Sequence, residues 1–383
     1  MRKQKNVLLA LGWYDHRLVQ GIATYAAQHR WHLAASSITH ERVIPWGWQG
    51  DGVLAWLAAG DDLAEFVVSV KRPTVDFSLR RAHLPFARVV QDHAQTGRLV
   101  AEHFLSRGFQ HFLFYSHLDN WSHEGRGEGF VKALGQAGHT CTWIRWHKAK
   151  ENQGGPGEWS RRRGWLLARI RRASKPIAIF TANGALAVEV QELCDEAKLA
   201  VPAQVAIVGI EDYLLSVGSA HRSVSGVDTN LEEQGYQGAA LLEGLMNGEA
   251  VPSEPVRIAP ARVVARKSSD IMAVSHPAVS RGLHFIAEHF SEQIGVDDVA
   301  KVAGMSRRGL HQAFLEHVSR TPGEEIRAMR LDFARKLLAE TDQKIESVAR
   351  LSGYPNMNTF FIAFRKAIKS TPAQFRKTVR RGR

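Results

Sequence analysis

The sequence holds two cysteines, Cys141 and Cys194, in 383 residues. They show no paired spacing, which argues against a disulfide framework and a thiolate metal site and suits a reducing compartment. No run of 18 apolar residues occurs, so no segment reads as a membrane-spanning helix. The amino-terminal "MRKQKNVLLALGWYDHR" has a basic lead. Its apolar run is short and broken by Trp13, Tyr14 and Asp15, so it reads as a first β-strand and not a signal peptide. Catalytic signatures are missing too: there is no Gly-x-Ser-x-Gly elbow, no Walker A loop and no His-Glu-x-x-His. "GRGEG" (125–129) is glycine-rich but is not a dinucleotide fingerprint. The histidines are many, yet His103, His111, His117 and His123 lack metal-ligand spacing, and His139 and His147 are isolated. The expectation is a cytoplasmic protein with no cofactor, no metal and no enzymatic activity.

What is present is charge, unevenly spread. Hydrophobic content of 44% with 23% charged residues is that of a folded protein, and the length asks for two or three domains. Of the net +12, residues 276–383 contribute 19 Lys+Arg against 11 Asp+Glu, while residues 1–275 contribute 31 against 27. From Lys344 onward ten basic residues face one acid, Glu346. Such an excess fits nucleic-acid binding, with a solubilising basic tail as the plain alternative.

The basic region repeats itself. "DVAKVAGMSRRGLHQAFLEHVSRTPGEEIR" (298–327) aligns with "SVARLSGYPNMNTFFIAFRKAIKSTPAQFR" (347–376): Val299-Ala300 on Val348-Ala349, Gly304 on Gly353, Phe314 on Phe364, Thr321-Pro322 on Thr371-Pro372, Arg327 on Arg376. Each copy reads as helix, tight turn, helix. In the first, Val299, Val302 and Ala303 form an apolar face, Gly304 ends the helix, Ser306 caps the next, and Leu310 and Phe314 recur at i and i+4. In the second, Gly353 and Pro355 stand between Leu351 and a Phe360–Phe364 pair. This is helix-turn-helix grammar at 297–318 and 346–368.

The outward faces are candidates for base reading: Arg307, Arg308, His311 and Gln312 in the first unit, Asn356, Met357, Asn358, Phe361 and Ile362 in the second. Asn and Gln suit adenine, Arg suits guanine, and apolar groups can meet a thymine methyl. Arg365, Lys366, Lys369, Arg376 and Lys377 suit phosphates. A connecting helix at 322–341, about 30 Å long, would set the two reading helices close to one DNA turn apart on double-stranded DNA.

"GYPNMNTFFIAFRKAIKSTPAQFR" resembles the signature of the arabinose-regulator (AraC/XylS) family, and the likeness covers residues 280–378. It implies an operator- or promoter-binding protein, and an activator that meets RNA polymerase.

The first 270 residues alternate short apolar strands with amphipathic helices, from "NVLLAL" and "RLVQGIATYAAQH" to "PIAIFTAN", "ALAVEVQELCDEA" and "VAIVGIED". That is α/β with mostly parallel sheets, and the length suits two lobes around a cleft. Ligands sit beyond the carboxyl ends of such strands. Those ends carry Trp13-Tyr14-Asp15, Asp76, a loop from Asn120 to Arg126 that includes Trp121, Asn183, and Glu211-Asp212, a set suited to a polyhydroxylated small molecule. Adjacent Glu211 and Asp212 point opposite ways on a strand end, so one would accept from ligand and the other cap structure.

"GFQHFLFYS", "EGRGEGFVKAL" and "VPAQVAIVGIEDYLLSV" resemble the periplasmic-binding-protein-like core of the lactose/galactose-repressor family. The resemblance implies Arg126, Asn183 and Glu211 as sugar contacts and a homodimer formed through the core. The chain departs from it with Gly184 and Glu211 where Asp is usual, and no headpiece is expected ahead of a strand beginning near Asn6. A sugar-binding core followed by an AraC-type tail is similar to the bacterial xylose-regulator family, which implies D-xylose as effector. The expected architecture is an α/β two-lobed periplasmic-binding-protein-like core at 1–270, a linker at 271–280, and an all-α domain with two helix-turn-helix motifs at 281–383. Against this stands a sugar-binding module or sugar-processing enzyme with a basic tail.

Overall fold

The computed structural model describes residues 4–35, 44–58, 60–211, 224–271, 274 and 276–381. Two six-stranded sheets form the first part. The strands are β1 (Asn6–Leu11), β2 (His32–Ala34), β3 (Gly52–Trp56), β4 (Thr74–Asp76), β5 (Ala87–Gln91), β6 (His111–Ser116), β7 (Cys141–Arg145), β8 (Ile177–Thr181), β9 (Val205–Ile210), β10 (Ser225–Asp228), β11 (Val256–Ile258) and β12 (Arg262–Val264). One sheet runs β11-β5-β4-β3-β1-β2 and is parallel throughout; the other runs β12-β10-β9-β8-β6-β7 and is parallel except at β12. Strands such as β3, β8 and β9 are buried along their whole length, because helices cover both faces of a parallel sheet.

The chain crosses between lobes three times: after β5, after β10 and between β11 and β12. Backbone bonds tie these crossings together, Asp92 N–H to the Ile258 carbonyl and Ala261 N–H to the Asp228 carbonyl, each 2.8 Å. Helix His93–Leu105 packs on helix Trp121–Gln136 in the second lobe, and helix Leu231–Met246 packs on helix His16–His29 in the first. Glycine permits the first of these contacts: a Cβ on Gly97 would lie 2.1 Å from the Arg126 carbonyl oxygen, and one on Gly129 2.1 Å from that of Ala94. The helix carrying Arg126 therefore seats directly against the hinge.

The polar stretch "KSSD" after β12 is not a free tether. Ser268 accepts from the Ser225 N–H (2.8 Å) and donates to the Ile207 carbonyl (2.6 Å), and Ser269 donates to the Ser225 hydroxyl (2.8 Å). Buried hydroxyls with satisfied partners hold this segment on the edge of the second sheet.

Among the described residues seven helices follow: Pro277–His289, Val296–Ala303, Arg307–Val318, Pro322–Glu340, Ile345–Leu351, Met357–Ile368 and Pro372–Arg381. The repeat read from sequence is physical. Both Thr-Pro sites are capping boxes: Glu324 N–H donates to the Thr321 hydroxyl (3.2 Å) and Gln374 N–H to that of Thr371 (3.3 Å), with the side chains of Glu324 and Gln374 accepting in return. Both reading helices end on a left-handed residue, Ser319 and Lys369. Val299, Ala303, Leu310 and Phe314 are buried, but Val302, expected on that face, is 44% exposed; Ala300 fills its place. The first unit shares one continuous apolar core with the second lobe, running through Ile271, Val274, Val279 and Leu283 to Phe314. The second unit has its own core, Ala334, Leu338, Val348, Tyr354, Phe360 and Phe364.

Candidate effector cleft and nucleic-acid interface

Between the lobes lies a cleft of about 470 Å3, within the range of small-molecule sites. Its apolar wall is Trp13, Trp56, Phe77, Trp121 and Leu231, with Trp13 and Trp56 rings 4.7 Å apart. Rings of this kind stack on the apolar face of a sugar. Arg17 spans the opening, donating from Nη2 to the Glu211 carbonyl oxygen of the other lobe (3.1 Å).

The structure sorts the expected effector residues. Asp15, Trp121, Arg126, Asn183 and Glu211 line the cleft. Asp15 caps its helix and takes two bonds from Arg17 (3.0 and 2.8 Å). Burial works to raise its pKa, but hydrogen bonds and charge from Arg17 outweigh that and hold the carboxyl below its ordinary value. Tyr14 is 58% exposed and does not line the cleft: Trp13 turns in and Tyr14 turns out, as adjacent residues of an extended segment do. Asp76 is fully buried and accepts from Leu57 N–H (3.1 Å), Ser78 N–H (3.0 Å) and the Ser78 hydroxyl (3.2 Å). It is a turn staple and not a cleft acceptor, and burial pushes its carboxyl up to about 6. Asn120 to Arg126 is not a loop: Asn120 caps a helix that starts at Trp121, accepting from Ser122 N–H at 2.9 Å. Asp212 lies outside the described residues. The Glu211 carboxylate is gripped at both oxygens by Arg266 (2.6 and 2.8 Å).

Cleft residues that the sequence does not single out include Arg17, Trp56 and Phe77, Gln91 and His93 at the first crossing and Thr229 at the second, while His123 lies within the Asn120–Arg126 segment. The strand-end rule points to Gln91 and His93, since Gln91 ends β5 and His93 lies two residues beyond it. Arg126 is buried; it donates to the Ala182 carbonyl oxygen (2.6 Å) and to Gln91 Oε1 (3.2 Å), and its Nε has no partner among the described residues. Burial lowers its guanidinium to about 10. His93 packs edge-on to Trp121, ring centroids 4.7 Å apart. Burial, then the Arg126 charge, holds His93 well below the ordinary imidazole value and His123 down to about 3, so both rings are neutral. At the rim, Asp119, Glu124 and His147 bring ligand atoms within 4.8 Å of one another, with Glu124 already held by Arg145.

On the helical part, Arg307, Arg308, His311 and Gln312 are exposed along the first reading helix; Asn358 and Ile362 are exposed on the second. Met357 and Phe361 are half-buried, Met357 against the second core. Asn356 is the N-cap: its Oδ1 accepts from the Thr359 N–H (2.9 Å) and hydroxyl (3.0 Å). With that acceptor engaged it lacks the donor–acceptor pair that adenine reading needs. Arg365, Lys366, Lys369 and Lys377 are exposed. Arg376 instead donates to the Gln343 carbonyl oxygen (2.6 Å) and ties the last helix to the turn before the second unit. The connecting helix has 19 residues, about 28 Å, and packs against helices of both units.

Comparison with known proteins agrees with this build. Residues 101–269 match the family of periplasmic binding protein-like domains, and residues 299–378 match a helix-turn-helix domain family. The xylose operon regulatory protein of Escherichia coli K12 is 26% identical over 375 residues, 95% of this chain and 94% of that one. The protein of the same name from Haemophilus influenzae is 27% identical over 379 residues, 95% of each. The solved structure of the xylose-binding transcription activator xylR superposes with a TM-score of 0.75 at 25% identity, covering 98% of this chain and 99% of that one. The chain is thus similar along nearly its whole length to the xylose operon regulatory proteins, with a periplasmic-binding-protein-like domain followed by an AraC-type helix-turn-helix domain.

Proposed function

We propose that this chain is a one-component transcription regulator of pentose-utilisation genes, in which a carbohydrate bound between the lobes changes how the two reading helices engage DNA. The effector is a pentose-class compound, with D-xylose as the reference ligand. The observation that carries the reading is the apolar core shared by the second lobe and the first helix-turn-helix unit. A change in the seating of that lobe moves the first reading helix without passing through a slack linker, which supplies the two-state element that coupling requires.

The roles follow from position. Asp15, Trp121, Arg126, Asn183 and Glu211 belong to the effector site, with Gln91, His93 and His123 added. Arg307, Arg308, His311, Gln312, Asn358 and Ile362 face bases; Arg365, Lys366, Lys369 and Lys377 face phosphates. The core occupies 1–270 and the DNA-binding domain 281–383, joined at 271–280. The protein acts in the cytoplasm as a homodimer and an activator contacting RNA polymerase, and catalyses no reaction.

The test is fluorescence anisotropy of the full chain on a duplex from its own upstream region, with and without each of D-xylose, L-arabinose, D-ribose, D-glucose, D-galactose, their phosphates and the matching sugar acids. The reading expects tight, salt-sensitive DNA binding whose affinity shifts with one compound of the panel. The same compound at ~100 times its Kd should stabilise the fold by about 2.7 kcal/mol. DNA binding indifferent to every compound would overturn the carbohydrate half, and no DNA binding would overturn the regulator itself.

A further inference from the structure

The acceptors lining the cleft are almost all engaged by the protein itself. Asp15 is held by Arg17, and Glu211 is held at both oxygens by Arg266. The amide oxygens of Asn120 and Asn183 cap their helices, accepting from Ser122 and Leu186 N–H, and that of Gln91 accepts from Arg126. Gly184, next to Asn183 on the wall, brings no side chain at all.

The unbalanced group on the wall is a charged donor. Among the described residues Arg126 has no carboxylate partner, and its buried Nε is unpaired. His93, 6% exposed, lacks a partner at both ring nitrogens, and His123, 4% exposed, lacks one at Nδ1. A neutral monosaccharide offers a donor with every hydroxyl and needs acceptors to receive them. This wall offers only the lone pairs of neutral His93 and His123 to receive them, with no free carboxylate, and among the described residues it leaves one buried positive charge uncompensated, which is costly without an anion.

We infer that the cleft takes a sugar bearing a single carboxylate, an aldonic or uronic acid, with the carboxylate on Arg126 beside His93. This rests on the carbohydrate reading of the cleft and specifies its class. A guanidinium matches a carboxylate in a planar, charge-assisted pair. The neutral His93 ring supplies one flanking N–H donor, the Nδ1 of His123 is left to accept a sugar hydroxyl because its other nitrogen donates to the Leu118 backbone, and Trp13, Trp56 and Trp121 cover the apolar face of the sugar. One unpaired cation suits a monoanion and not a phosphate dianion.

The experiment is titration calorimetry of the full chain against pairs that differ at one carbon: D-xylose with D-xylonate, D-glucose with D-glucuronate and D-gluconate, D-galactose with D-galacturonate, and D-glucose 6-phosphate alongside. The expected result is one acid bound at least tenfold more tightly than its neutral partner. Arg126→Gln should remove that preference. Because a change at a buried arginine can harm folding, His93→Asn is the second variant: it should reduce the acid-to-neutral ratio several-fold, with the circular dichroism melt checking the fold. A neutral sugar bound more tightly than its acid would overturn this inference and leave the proposed function standing. A phosphate ester preferred over every carboxylate would overturn the carboxylate assignment. No binding by any of them would overturn both this inference and the carbohydrate reading beneath it.

Discussion

The two helix-turn-helix units are built from one pattern and wired differently. In the first, Phe314 lies in a core that continues through Val279 and Ile271 into the second lobe. In the second, Phe364 lies in a core closed by the connecting helix and the last helix, with Leu338 and Phe375 at its edges. The first unit is therefore an extension of the effector domain, and the second has its own core and meets the first where Gly353 packs against Phe290 and Ser291. One consequence is a division of labour in which the effector acts on the seating of the first unit while the second anchors the protein to its site.

Core truncation breaks this comparison most strongly. Phe314→Ala and Phe364→Ala should each cost about 3–5 kcal/mol locally. Hydrogen exchange should show Phe314→Ala loosening helices of the first unit together with the second lobe, and Phe364→Ala loosening only residues beyond about 334. Equal effects on the lobe from both variants would contradict the account.

Acid should separate the regions next. In the effector part His123 is buried and His103 and His117 are partly buried, with pKa values pressed down to about 3, 3 and 4 respectively, loss of solvation being the main cause each time. Their folded pKa lies below the unfolded value, so stability is present above about pH 6.5 and is lost as pH falls toward the folded values, at about 1.4 kcal/mol per pH unit each. Asp76, raised to about 6, has the opposite sign between about pH 4 and 6 and offsets one histidine. His93, also held well below its ordinary value, adds to the loss, so the net expectation is a fall in stability between pH 6 and 5 that Asp76 only partly offsets. The second unit contains no histidine from 341 onward and should hold its exchange protection over that interval.

Surface substitutions sharpen the comparison with smaller effects. Arg308→Ala or Asn358→Ala should cost about 1–3 kcal/mol on the preferred sequence and relax selectivity in one half of the site only. Lys366→Ala should weaken binding on all sequences and reduce the salt slope by about 0.9. Binding isotherms across a salt series distinguish the two outcomes.

The fold was largely readable because its signals are local and repeated. Thr321-Pro322 and Thr371-Pro372, Gly304 and Gly353, and the paired phenylalanines each solve a capping or packing problem within a few residues. Strands such as "NVLLAL" and "PIAIFTAN" announce burial on both faces. The cleft was half-legible. Strand ends pointed to Asp15, Arg126 and Asn183, but Asp76 and Tyr14 sit at strand ends equally well, and only three-dimensional direction shows one buried in a turn and the other facing outward. The Arg266 grip on Glu211 joins residues 55 apart, and nothing in the local pattern foretells it. Asn356 shows the same ambiguity at short range: an Asn ahead of a helix serves equally as cap or reader until its hydrogen bonds are known.

The central claim is that two reading helices, set by one connecting helix, address two adjacent turns of DNA. In vitro selection of bound duplexes from a random pool, using the full chain, tests it most directly. The account predicts an enriched site with two distinct half-motifs centred about 10–10.5 base pairs apart, the half read by the second unit surviving in an Arg308→Ala, Gln312→Ala variant. Enrichment of a single compact motif, or of no sequence at all, would contradict it.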